Sequence, residues 1–171
     1  GFDPHCDTPV EILHVVLLGV VKYWWQDSGG RATLKSQLSS CDMANLGGST
    51  PRGHTLVQYA GLLVGRDFRV VLQVAPMVLH GLVPDVVYNA WMVLCQLTPL
   101  VFQPEINNVP DFMATLKPAV ENFLMAAVRW NTLWFNKPKF YLFVHIVDHI
   151  LRFGPAPLYA TKMFEPYNLV I

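Results

Sequence analysis

Glu11 and His14 stand three residues apart, and His145 and His149 stand four apart. On a helix these spacings place two side chains on one face. Each pair can then offer two ligands to one ion. Imidazole nitrogens and a carboxylate oxygen are ordinary zinc ligands, and four protein ligands make the closed tetrahedral site of a structural zinc. Plainer roles compete for the same residues. Glu11 suits the acid of a capping box closed by Thr8, and His14 suits a core histidine bonded to a backbone carbonyl. His145-Ile146-Val147-Asp148-His149 also has the outline of a zinc-peptidase motif, with Asp148 where a glutamate is needed. No third ligand motif accompanies it, so that reading is set aside. Gly47-Gly48-Ser49-Thr50 lacks the spacing and the lysine of a phosphate loop.

The cysteines add no chemistry of this kind. Cys6, Cys41 and Cys95 are odd in number and fit no zinc or redox spacing. Cys95 lies in an apolar run and is expected in the core. The pattern suits a reducing, intracellular compartment, nuclear or cytoplasmic. The 171 residues are 53% apolar and 14% charged, with no net charge. That composition describes one globular domain with apolar surface to spare, as in a piece of something larger. The start at Gly1 without a Met and the end at Ile171 within an apparent helix point the same way. It does not describe a free-standing nucleic-acid binder, which carries a basic excess. The mildly basic stretch 120–162 reads as a solvated helix face. The apolar runs Val15–Val21 and Val70–Val83 are too short or interrupted for a membrane span of about 20 residues.

The elements that must position the two pairs are helices. Thr8, Pro9 and Glu11 form a start signal for a helix reaching about Gln26. A short polar helix over Ala32–Ser40 and a glycine-rich loop over Asn45–Gly53 follow. His54–Leu63 reads as a helix that Gly65 breaks, and Asp67–Gly81 as one bent near Pro76. Pro84 opens the next, with Val87, Ala90, Trp91, Leu94 and Leu97 at helical spacing. Gln103–Pro110 is a loop. Asp111–Trp130 is a long helix, irregular at Pro118. Lys137-Pro138 starts another that ends near Gly154. Pro157–Thr161 reads as extended or irregular, and Phe164–Ile171 as the first turns of a last helix. The five tryptophans mostly share spacing with apolar residues and belong to the core.

Several segments carry a resemblance in their order and spacing. They are Asp3-Pro4-His5 with Asp7–His14, Val57-Gln58-Tyr59 with Gly65–Arg69, Gln73–Pro76, Phe135–Phe140, and Arg152–Ala156. Together they resemble fungal Kyakuja–Dileera–Zisupton transposases, and more distantly CACTA transposases. Proteins of this kind have an RNase H-like core whose carboxylates hold two divalent metals for DNA cleavage and strand transfer. The resemblance implies that this chain is the all-α insertion between the second catalytic aspartate and the final glutamate. It places that glutamate at Glu165, with the second aspartate upstream of Gly1. Lys162 stands where related sequences often have an acid, and Pro166 directly follows Glu165. The resemblance also implies a zinc staple of Glu11, His14, His145 and His149 that positions Glu165 without doing chemistry. Magnesium and DNA would belong to the complete protein with its RNase H-like segments. A homo-oligomer is left open. The alternative is a non-enzymatic helical interaction module, the remnant of a decayed or domesticated element.

Overall fold

The run Leu13–Val21 contains one polar residue, His14. A helix apolar on nearly every side must be buried on nearly every side. The computed structural model describes residues 8–27, 31–40 and 53–160, and it buries Leu13, Val15, Val16, Leu17, Val20 and Val21. The run is a π-helix rather than the expected α-helix, and it continues into α1 (Lys22–Asp27). Among the described residues, seven more α-helices follow. They are α2 (Arg31–Ser40), α3 (Gly53–Gln58), α4 (Gly65–Leu79), α5 (Asp85–Val101), α6 (Val109–Trp130), α7 (Pro138–Val144) and α8 (Ile146–Phe153). Short 3-10 turns cover Ala60–Leu62, Thr132–Asn136 and Ala156–Tyr159. All regular structure among the described residues is helical, and the elements share one hydrophobic core.

Several boundaries differ from the sequence reading for local physical reasons. The first helix starts later than Thr8 predicts, and Thr8 does not form the capping box with Glu11. The Glu11 carboxylate instead accepts the backbone N–H groups of Leu13 and His14, at 3.1 and 2.8 Å. Gly65 begins α4 rather than breaking a helix. A Cβ there would press on the end of the Leu13 side chain, so α4 starts close against the π-helix. Asp67 supports the same start by accepting the Val64 N–H at 3.0 Å. The helix expected from Pro138 to Gly154 is divided at His145, whose backbone (φ −86°, ψ −1°) separates α7 from α8. Gly154, at φ +85°, ends α8 in a conformation that L side chains rarely adopt. Pro157 lies in a 3-10 turn, Ala156–Tyr159, where the sequence reads as extended or irregular. The segments 41–52 and 161–171 include most of the expected glycine-rich loop and the whole of the last helix, and they lie outside the described residues.

Two packing contacts matter for the histidines. A Cβ at Gly19 would meet Lys139 Cβ at 2.9 Å, so α7 lies directly on the π-helix. The N-terminal segment therefore runs beside the α7–α8 pair. The α5–α6 pair packs together, and α6 also packs on α8 and sets Phe123 against Phe140 and Phe143 of α7. Trp24 stands between these parts. Its ring lies 5.8 Å from Trp91, 5.4 Å from Phe123, 4.9 Å from Trp130 and 6.0 Å from Phe140. Aromatic pairs at such separations contribute about 0.5–1.5 kcal/mol each beyond area burial.

Candidate functional site

Glu11 and His14 meet as their spacing predicts. His14 Nδ1 lies 2.6 Å from Glu11 Oε2 at a largely exposed position. An imidazole that donates Nδ1–H to a carboxylate is held in one orientation. This is the relation of a positioning carboxylate to a histidine. Both Glu11 oxygens are turned toward its own helix start and toward His14.

His149 is buried, and its Nδ1 accepts the backbone N–H of Val10 at 2.8 Å. Nδ1 is therefore unprotonated, and the neutral ring carries its proton on Nε2. The bond joins positions 139 residues apart in sequence. The α8 backbone presents His149 to Val10 because α7, pinned at Gly19, brings α8 alongside. His145 lies at the helix break. Its ring centroid is 6.2 Å from that of His149 and 5.2 Å from that of Tyr141. Its Nε2 is buried without a hydrogen-bond partner.

The structure thus pairs Glu11 with His14, stacks His145 beside His149, and seats the N-terminal segment on His149. It does not bring the four side chains to one point. Among the described residues, no group of three or more His, Cys, Asp and Glu is arranged to hold a metal ion. Glu11 is engaged with His14, and His149 Nδ1 accepts a backbone N–H. The ends that the zinc was expected to join do meet, through a direct hydrogen bond. Glu165, the one candidate catalytic residue, lies outside the described residues.

Cys95 is part of the helix packing and not a nucleophile. Its Sγ–H donates to the Leu72 carbonyl at 3.3 Å, and burial pushes its thiol up to about 12. No helix among the described residues is long and apolar enough to cross a membrane. Sequence reasoning missed Val10. Its contribution is a main-chain N–H, which every residue but proline carries, so no side-chain type could have marked it. No family model matches the chain, and neither the curated proteins nor the solved structures show a significant match.

Proposed function

We propose that the chain is the helical insertion of a longer, transposase-like protein. In that protein it acts as a scaffold, while the RNase H-like segments cleave and join DNA with divalent metals. Alone it is inactive in DNA cleavage. The reading rests on the ordered segments that resemble such transposases. One structural observation supports it: the Val10–His149 bond holds the two ends of the helical unit together. An inserted domain must leave and rejoin its host at neighbouring points, and domains whose ends lie close together meet that need. Glu165 follows His149 on the rejoining side and is the glutamate assigned to the metal site of the whole protein.

The test is a strand-transfer assay with Mg²⁺ or Mn²⁺ on the full-length protein and on this chain. The full-length protein should be active, Glu165→Ala should abolish that activity, and the isolated chain should do nothing. Full activity of the Glu165→Ala protein would remove Glu165 from the metal set. Cleavage by the chain alone would overturn its role as a scaffold. Metal analysis of the purified, untagged chain addresses the zinc staple. Stoichiometric zinc, with loss of stability in chelator, would require the Glu11–His14 and His145–His149 pairs to draw together.

A second reading, a non-enzymatic helical interaction module, is favoured by the outer groove of the α5–α6 pair. Its volume is about 510 Å³, and Met92, Val93, Met125 and Ala126 line it beside Asn89, Gln96, Asn122 and Arg129, a mixed lining that suits the apolar stripe of an amphipathic helix. Asp85 is the only charged residue in the whole of α5. A partner's amphipathic helix laid into this groove would be lost on Met125→Glu, with strand transfer by the full-length protein unaffected.

A further inference from the structure

On α6, Asp111 and Arg129 are separated by about five turns of helix, so they stand on one face. Thr115, Asn122 and Met125 fall between them at helical spacing, and all of these residues are exposed. The other face of the helix, with Phe112, Leu116, Val120 and Phe123, is the one buried in the chain. Asn122, Met125 and Arg129 line the outer groove against Asn89, Met92 and Gln96 of α5. Met125 is 54% exposed there, and Val86, which also lines the groove, is 39% exposed.

The charges on this helix have an order. Asp111, Lys117, Glu121 and Arg129 are the charged residues of α6, and their signs alternate along it. A second α6 laid antiparallel, about a two-fold axis near Val120, sets Asp111 on Arg129 at both ends. It also brings Lys117 beside Glu121. Laid parallel, it sets each charge on its like. A two-fold interface must be self-complementary in this way, with residue i meeting j and j meeting i. Asp111 accepts the Asn108 amide through Oδ2, and neither Asp111 nor Arg129 is ion-paired among the described residues. The groove amides fit the same symmetry, because an amide both donates and accepts and can pair with its own copy. The face is about 25 Å long and about 20 Å wide, from the length of α5 and the diameters of two helices. Two copies would bury about 1,000 Å² together, the size at which a specific interface begins.

We propose that the partner covering the α5–α6 face is a second copy of this chain, the two helix pairs closing as an antiparallel four-helix bundle. Paired Asp111 and Arg129 fasten both ends, and Met92 and Met125 from both copies fill the space between the grooves. The proposal rests on the reading of this face as a helix-docking surface and names the partner.

Sedimentation equilibrium on the purified chain tests it. A reversible monomer–dimer equilibrium should appear below about 1 mM chain. Arg129→Asp and Asp111→Arg each set like charges against one another at both ends, and each should weaken the dimer at least about tenfold. An equimolar mixture of the two variants restores opposite charges at both ends and should form a heterodimer as tightly as the parent chain forms its homodimer. The double variant, with the two signs exchanged, should dimerise like the parent and guards against a single variant that folds poorly. Met125→Glu should dissociate the dimer. A monomer throughout the range, a dimer indifferent to either charge reversal, no association in the mixture, or a dimer that survives Met125→Glu would overturn the proposal. A monomeric parent chain leaves the groove open to an unrelated partner's helix, which Met125→Glu in the full-length protein reads separately, so the two failures are told apart.

Discussion

The aromatic centre and the histidine seam are held together in opposite ways. At the centre, Trp24 contacts rings from α5, α6, α7 and the 3-10 turn before α7. Each contact is replaceable, and the attraction needs no particular direction. At the seam, one directed bond from the Val10 N–H to His149 Nδ1 fastens the N-terminal segment to α8. Beside it, His145 keeps a buried nitrogen without a partner. The centre gives stability through many parts. The seam gives position through few.

The largest test of this contrast is at the centre. Trp24→Ala removes the ring common to all these contacts and should cost about 3–5 kcal/mol, the range for burying a cavity in place of a large aromatic. A urea midpoint measurement reads it, and a loss under about 1 kcal/mol would mean the centre does not carry the fold. Next comes the seam. His149→Leu leaves the buried Val10 N–H without an acceptor and should cost about 1–3 kcal/mol. Hydrogen exchange should show the loss of protection concentrated near Val10, with α5 and α6 protected as before. A uniform loss would make the seam part of the core.

A smaller effect separates core chemistry from site chemistry. Burial pushes the Cys95 thiol up to about 12 from its ordinary 9.0, and the Tyr159 phenol up to about 12 from 10.0. The folded chain therefore keeps protons that the unfolded chain releases in this range. Stability is full below about pH 9 and falls as pH rises towards 12. Cys95→Ala should flatten that decline, and the native thiol should resist alkylation at pH 8. Rapid alkylation at that pH would show an accessible cysteine. The smallest effect is expected at His145. His145→Phe removes a buried polar atom that has no partner, and it should change the melting temperature little or raise it slightly. A clear drop would show that His145 Nε2 has a partner in solution.

Some of this was open to the sequence and some was not. Val87, Ala90, Trp91, Leu94 and Leu97 repeat at helical spacing, and all five are buried on α5. There, period and burial are one fact. Leu13–Val21 gave no such handle. A run apolar on all sides has no face, so its period cannot separate a π-helix from an α-helix. The division at His145 was hidden because no proline or glycine marks it. Spacing alone found the Glu11–His14 contact, because both residues sit within one turn. It could not say whether two turns from distant parts of the chain would converge, since that depends on how Gly19 lets α7 approach. Acceptance of a backbone proton by His149 leaves no trace in residue type.

The central claim is that a direct hydrogen bond fastens the two ends of the unit. Scalar coupling between the Val10 amide ¹⁵N and His149 ¹⁵Nδ1, transmitted only through such a bond, tests it most directly. A measurable coupling, with the His149 proton on Nε2 and no change on adding chelator, is the result predicted. No coupling, or a coupling replaced on zinc addition by coordinated shifts of His14, His145 and His149, would contradict it.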